Sequence, residues 1–312
     1  MREHQLSAQV VEEVKKAVVG KDEVVVKTLA AILSRGHVLL EDIPGVGKTT
    51  MAIAFSKALG LTYHRVQFTP DVMPSDLTGF SLYNRTTGQM EYQPGALLCN
   101  LLLADELNRA TSRTQSALLE AMEEGRVTVD GVSRPVPDPF LVIATQNPAG
   151  ASGTQLLPDS QLDRFALRLT MGYPTPGQEL ELLQRKLRGG LSGEVCQAAG
   201  REELAQLRGQ TDRVFVDDAV LDYILRLVRA TRAHPQLAQG ASPRASISVA
   251  GLSRAVAFLR GRDYVVPEDV AYIWVDAVAH RLVFPAGSSG GSGRGTAVAR
   301  EVLDSVRPPR LR

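Results

Sequence analysis

Hydrophobic and polar positions follow two different patterns along this chain, and the change falls near Pro176. Before it, short and nearly continuous apolar runs stand between segments with helical spacing, which is typical of buried parallel strands. The runs that predict strands are 37–40, 63–68, 101–103, 140–145 and 166–171. After Pro176 helical spacing takes over. We therefore predict an α/β domain over 1–176 and a small all-helical domain over 177–312.

Helical spacing also predicts the helices themselves. Leu6, Val10, Val14 and Val18 repeat every four residues, which gives an amphipathic helix that ends near Gly20. The further predicted helices cover 22–34, 49–59, 112–124, 178–190, 217–233, 246–260, 267–281 and 296–306.

Three short signals add detail to this prediction. Ser112 and Gln115 have the spacing of a capping box, in which each side chain satisfies a free backbone N–H at the start of a helix. Asp130 and Gly131 lie among valines and predict a two-residue hairpin turn. The Gly- and Ser-rich tract 287–295 predicts a surface loop.

Composition narrows the class of protein. With 44% hydrophobic and 22% charged residues, the chain has the composition of a soluble globular protein. Its net charge of +1 lacks the basic excess of proteins that bind nucleic acid through phosphates, which argues against a nucleic-acid partner. Charged residues interrupt positions 1–20, and no apolar run approaches the roughly 18 to 20 residues that span a bilayer. We expect a cytoplasmic protein without a membrane span.

The segment between the first apolar run and the next helix carries the strongest chemical signal. Its glycines let the backbone approach a phosphate chain, and the N–H groups at the start of the helix have no partners of their own. Lys48 is predicted to neutralise the β- and γ-phosphates of ATP, and the Thr49 hydroxyl to bind Mg²⁺. The predicted nucleotide-binding residues of this loop are Pro44, Gly45, Val46, Gly47, Lys48, Thr49 and Thr50.

Polar residues that end later apolar runs extend this prediction. Asp105 is predicted to hold Mg²⁺, and Glu106 to polarise the water that attacks the γ-phosphate. Asn147 follows the next strand, where its amide would orient that water. Taken singly, each signal has a plainer alternative. A glycine-rich turn, a solvated acidic strand end and an ordinary Asn-Pro turn would leave the same residues.

Arg164 and Arg244 each stand near the boundary of a predicted element. Either one alone is more typical of a solvated surface arginine. The order of all these elements along the chain is more informative, because it resembles the AAA+ ATPases and, among them, the MoxR family. The stretches that carry the resemblance are 40–49, 65–71, 74–79, 104–110, 116–124, 144–148 and 162–165.

The resemblance extends over about 18–283 and implies a parallel-sheet P-loop NTPase domain followed by a helical lid. It implies that Asn147 is the first sensor, that Arg164 reaches into a neighbouring subunit's site, and that Arg244 is the second sensor in the lid. It also places Val19 and Gly20 against the adenine of ATP. Two departures stand out, since Asp42 occupies the position of the first loop glycine and Ala96 follows Pro94-Gly95 where the family has a second proline.

The family resemblance implies a homo-oligomer in the form of a hexameric ring. It also implies chaperone-like work on protein clients, together with a partner that carries a von Willebrand factor A-type domain. The first hypothesis is therefore a Mg²⁺-dependent ATP hydrolase that remodels other proteins. A nucleotide-gated assembly module without turnover is the first alternative, against which Glu106 and Arg164 argue. A nucleic-acid motor is the second, which the balanced charge disfavours.

Overall fold

A computed structural model describes residues 2–43, 45–147, 157–187, 195–285 and 292–310 of the chain. The strands in these residues are β1 (Val38–Glu41), β2 (Tyr63–Gln67), β3 (Gly79–Asn84), β4 (Gln89–Pro94), β5 (Leu101–Asp105), β6 (Arg126–Val129), β7 (Val132–Pro135), β8 (Leu141–Gln146) and β9 (Leu167–Leu169). The α-helices are α1 (Arg2–Ala17), α2 (Asp22–Leu33), α3 (Lys48–Ala58), α4 (Pro74–Thr78), α5 (Ser112–Glu124), α6 (Asp159–Leu162), α7 (Pro176–Leu187), α8 (Arg201–Asp212), α9 (Asp218–Arg232), α10 (Pro243–Leu259), α11 (Pro267–Val278) and α12 (Ser292–Ser305).

Five of the strands form one parallel sheet in the order β2-β5-β8-β1-β9. Gln67 lies opposite Asp105, and Glu41 lies opposite Gln146, so the strands end together at one edge of the sheet. Open parallel sheets bind their ligands beyond this carboxyl edge. The α/β fold class is therefore confirmed, and the fold itself directs attention to the residues that follow β1, β5 and β8.

The two faces of the sheet support separate hydrophobic clusters. Along β5, Leu101 and Leu103 enter one cluster, while Leu102 and Ala104 enter the other, as the alternation of side chains along a strand requires. The first cluster continues into the helical part of the chain as far as the fully buried Trp274. The helical region thus shares a core with one face of the sheet, and its α10 packs against α2.

Two β-hairpins stand outside the main sheet. The turn predicted at Asp130-Gly131 is confirmed, because β6 and β7 pair antiparallel around it and both turn residues have positive φ, 52° and 74°. The hairpin β3–β4 was not predicted. It exposes apolar side chains such as Leu82 and Met90, although Met90 and Tyr92 alternate with polar residues along β4 as strand residues do.

One of the detailed predictions is wrong, and a second is wrong over the part of it that the structure describes. The residue that caps α5 is Thr111 rather than Ser112, since the Thr111 side chain accepts a hydrogen bond from the Thr114 N–H at 3.3 Å. The tract predicted as a loop at 287–295 lies outside the described residues over 287–291, and its remainder begins α12. Gly295 fits there because a Cβ at this position would lie 2.4 Å from the carbonyl oxygen of Ala279.

The last helix is longer than the predicted 296–306, and α8 was not predicted at all. No described helix is both long enough and apolar enough to cross a lipid bilayer.

Candidate active site

The loop between β1 and α3 has the conformation that its glycines allow. Gly45 and Gly47 have φ values of 87° and 99°, a region that side chains with a Cβ rarely adopt. A Cβ at Gly45 would meet nothing within 4 Å, so the backbone angle rather than crowding explains the glycine. Pro44 lies outside the described residues. The loop ends at Lys48, the first residue of α3.

Beyond the carboxyl edge of the sheet, this loop borders a cleft of about 350 Å³. The cleft is lined by Gly45, Gly47, Lys48, Thr49, Thr50, Arg65, Gln67, Asp105, Glu106, Thr145 and Asn147. The fold thus brings together the loop, the acidic pair after β5 and the amide after β8. Val19 and Gly20 do not line this cleft. They lie between α1 and α2, where the Gly20 carbonyl accepts a hydrogen bond from Gln178 Nε2 at 3.4 Å.

The Lys48 ammonium is buried beside the loop. Its Nζ donates to the carbonyl oxygens of Asp42 and Ile43 at 2.6 and 2.9 Å. Burial lowers the pKa of Lys48, and the nearby carboxylates Asp42, Asp105 and Glu106 act in the opposite direction. The acidic neighbours therefore favour the charged form, which is the form that can neutralise a phosphate.

Two partners fix the orientation of the Asp105 carboxylate. Oδ1 accepts a hydrogen bond from Thr145 Oγ1 at 2.6 Å, and Oδ2 accepts from Arg65 Nη2 at 2.7 Å. Asp105 and Thr49 line the same cleft, and the carboxylate and hydroxyl oxygens of such residues suit Mg²⁺. The donor set therefore fits this ion. Arg65 was given no role from the sequence, because its contact with Asp105 arises only from the pairing of β2 with β5.

Glu106 leaves the strand with an unusual backbone conformation. Its φ is 56°, which is uncommon for a residue other than glycine and is a form of local strain found at functional sites. Its N–H donates to Thr145 Oγ1 at 2.9 Å, so Thr145 supports both acidic residues. The Glu106 carboxylate accepts from Arg109 Nη1 at 2.9 Å and from Asn147 Nδ2 at 3.4 Å. A carboxylate in this setting can take a proton from a water molecule in the cleft.

Arg164 and Arg244 lie elsewhere, beside a second cavity of about 320 Å³. Both pair with Glu123 near the end of α5. Arg164 Nη2 lies 3.2 Å from Glu123 Oε2, and Arg244 pairs with Oε1 of the same carboxylate. The structure therefore brings the two arginines to each other but not to the phosphate loop of their own chain.

Comparison with known proteins gives consistent results. A family model described as the ATPase family associated with various cellular activities (AAA) matches residues 37–167, and an AAA lid domain model matches residues 229–301. The chain is 43% identical to YeaC of Bacillus subtilis, over 98% of this chain and 96% of that protein. It is 40% identical to Chaperone MoxR1 of Mycobacterium tuberculosis, over 96% of this chain and 81% of that protein.

A solved structure from Cytophaga hutchinsonii agrees with the whole fold. It superposes with a TM-score of 0.90 at 34% sequence identity and covers 99% of this chain and 96% of that one. The sheet with its loop and the helical region are thus both shared with relatives over nearly the full length. The chain belongs to the MoxR family of AAA+ ATPases.

Proposed function

We propose that this protein is a Mg²⁺-dependent ATP hydrolase that couples the nucleotide cycle to remodelling or maturation of partner proteins. The observation that carries the proposal is the convergence of Lys48, Asp105 and Glu106 on one cleft at the carboxyl edge of the sheet. A site that only binds phosphate needs the loop and its lysine. A site that hydrolyses ATP also needs one carboxylate to hold the metal ion and a second to take a proton from the attacking water.

In this proposal each residue has a separate task. The loop N–H groups and Lys48 bind the phosphates, with Thr50 at the same helix start. Thr49 and Asp105 would hold Mg²⁺, which supplies positive charge to the phosphate oxygens when bound. Glu106 accepts the proton of the attacking water.

Asn147 and Arg109 complete the surroundings of Glu106. The Asn147 amide would orient the water that Glu106 deprotonates, and its distance of 3.4 Å from the Glu106 carboxylate supports this role. The Arg109 guanidinium holds the other carboxylate oxygen and so limits its rotation. Val46 lies in the phosphate loop, and Val19 with Gly20 would contact the adenine beside the start of α7.

We further propose that Arg164 and Arg244 serve the site of a neighbouring subunit. Their shared contact with Glu123, away from the phosphate loop of their own chain, supports this assignment. It requires a head-to-tail assembly, for which we propose a hexameric ring. In such a ring the helical lid, divided from the α/β part near Pro176, lies against the next subunit.

The chaperone-like role is supported by the 40% identity to Chaperone MoxR1. We propose that the protein acts in the cytoplasm, together with a partner that carries a von Willebrand factor A-type domain. The first experiment is a phosphate-release assay on the purified protein with ATP and Mg²⁺, repeated with EDTA. We expect phosphate release that EDTA abolishes. Tight ATP binding without release would instead favour a nucleotide-gated assembly module.

A further inference from the structure

Asp42 stands where the usual phosphate loop has its first glycine, and its side chain makes contacts that a glycine could not make. The residue is 6% exposed. Oδ1 accepts a hydrogen bond from the Ile43 N–H at 2.8 Å. Oδ2 accepts from the N–H groups of Met171 and Gly172, at 2.7 and 2.6 Å. A buried carboxylate is costly unless such donors compensate it, so these three contacts account for its tolerance here.

The two donors on Oδ2 belong to the connection between β9 and α7, which leads from the sheet into the helical region. Met171 is buried, and Gly172 has a φ of 64° that turns the backbone at this point. The same connection approaches the loop a second time, because the Met171 methyl group lies 3.7 Å from the position of a Cβ on Gly47. The connection therefore packs directly on the phosphate loop.

The backbone of Asp42 is linked to the phosphate-binding lysine. Lys48 Nζ donates to the Asp42 carbonyl oxygen at 2.6 Å, as well as to that of Ile43. A phosphate that draws Lys48 towards itself would compete with these two carbonyl contacts. Any shift of residue 42 would then reach Met171 and Gly172 through the two hydrogen bonds to Oδ2.

We propose that Asp42 is a positioning residue that ties the phosphate loop to the connection into the helical region, so that nucleotide binding at the loop is transmitted to the lid. This inference rests on the proposed binding of ATP and ADP at that loop. It also gives a physical reason for the aspartate, since phosphate binding by itself would require only the usual glycine at this position.

Hydrogen exchange at the Met171 and Gly172 amides tests the proposal, since these are the donors to Oδ2. In the wild-type protein we expect slow exchange at both amides and a change of at least about fivefold when ADP binds. Asp42→Asn keeps the shape but replaces one acceptor oxygen with an amide that cannot accept. We expect this variant to bind ADP within about threefold of wild type. It should lose the exchange response and about tenfold in kcat.

Glu41→Gln is the matched control. It also removes one carboxylate charge at the end of β1, but the Glu41 side chain pairs with Arg168 at 3.3 Å rather than with the connection. We expect this variant to keep the wild-type exchange response to ADP. A response lost equally in both variants would mean that charge near the loop matters and that the hydrogen bonds of Asp42 do not.

Three other outcomes are decisive. If Asp42→Asn binds ADP and keeps the wild-type exchange response, the tie is refuted while the proposed function stands. If the wild-type protein binds no ADP, the proposed function fails and the inference fails with it. If Asp42→Asn does not fold, the wild-type measurement decides. Fast exchange at the Met171 and Gly172 amides, or exchange that ADP does not change, would refute the tie.

Discussion

Asp105 and Glu106 are neighbours in sequence but have different partners. Asp105 is held by Arg65 and Thr145, whereas the carboxylate of Glu106 is held by Arg109 and Asn147. The positive φ of Glu106 turns its side chain away from the direction that the strand would give it. The two carboxylates can therefore be altered one at a time.

Lys48→Ala should abolish nucleotide binding, because it removes the ammonium from a site whose other phosphate donors are mainly backbone N–H groups. Titration with a fluorescent ATP analogue measures the effect. Lys186→Ala, which alters an exposed lysine of α7, is the control and should bind like wild type. Binding by Lys48→Ala within about threefold of wild type, roughly 0.7 kcal/mol, would contradict the assignment of the phosphate loop.

Glu106→Gln should keep ATP affinity and stop turnover, because the amide preserves shape but cannot take a proton from water. Equilibrium binding of ATP and steady-state phosphate release separate the two effects. Glu120→Gln, an equivalent change at an exposed position of α5, should leave both unchanged. Unchanged hydrolysis by Glu106→Gln would remove this residue from the catalytic role and favour the binding module.

At the scale of elements, prediction from sequence succeeded where burial alone decides the pattern. Four of the five sheet strands follow short runs that are wholly or mostly buried, as in β5 and β8, whereas β2 was predicted at 63–68 although none of its own residues is buried. The hairpin β3–β4 was missed although Met90 and Tyr92 alternate with polar residues along β4, a short pattern that indicates a strand. Helix α8 was missed although Leu204, Leu207 and Thr211 are buried at helical spacing, a signal that was present in the sequence.

The candidate site was predictable only in part, because some of its contacts join residues that are far apart in the sequence. Lys48 and Asp105 follow local motifs, so the sequence indicates them directly. Arg65 reaches Asp105 from a different strand, and Asp42 reaches Met171 across 129 positions of sequence. Contacts of this kind depend on strand order, and no local pattern specifies that order.

His37 joins three elements and gives a prediction about pH. Its Nδ1 accepts from the Val142 N–H of β8 at 3.0 Å, and its Nε2 donates to the Met122 carbonyl of α5 at 3.2 Å. Burial lowers the pKa of His37 to about 4. In the unfolded chain an ordinary histidine binds its proton near pH 6.5. Acidification from pH 6.5 towards pH 4 therefore favours unfolding.

At pH 5 this histidine should cost about 2 kcal/mol of stability relative to pH 7. Urea unfolding of wild type and His37→Gln at both pH values measures the difference. Glutamine can accept from Val142 and donate to Met122, but it does not titrate, so the variant should lose less stability on acidification. Burial also lowers the pKa of His280, which leaves some acid sensitivity in both proteins. An equal loss of stability on acidification in the two proteins would contradict the role assigned to His37.

At the scale of the whole molecule, the contacts that join the α/β part to the helical part include three of different kinds. They share a hydrophobic cluster, Asp42 binds the connection between them, and Glu123 of α5 pairs with Arg244 of α10. The second of these contacts lies at the phosphate loop, and the third lies at the arginine pair. In a head-to-tail ring, movement of the helical part would therefore affect the protein's own nucleotide and its neighbour's together.

Arg164→Ala should abolish hydrolysis while each subunit stays folded, because an arginine supplied across an interface stabilises charge on the transferred phosphoryl group. If Arg164 acts on the neighbouring site, two inactive variants should restore activity to each other. We expect a mixture of Arg164→Ala and Glu106→Gln to regain phosphate release under conditions of subunit exchange. With random mixing, roughly a quarter of the interfaces pair an intact Glu106 with an intact Arg164 from the next subunit.

Exchange itself has to be shown with a fluorescent label on one variant, since unmixed rings would stay inactive for a trivial reason. A dilution series of wild type with Glu106→Gln then tests whether one defective site stops a whole ring. If activity falls in proportion to dilution, stalling is excluded, and the mixture of the two variants must recover activity. Suppose the label shows exchange and the dilution series is proportional, but the mixture of the two variants stays inactive. That result would show that Arg164 acts within its own subunit. In that case the pairing of Arg164 with Glu123 would have to open for the arginine to reach its own phosphate loop.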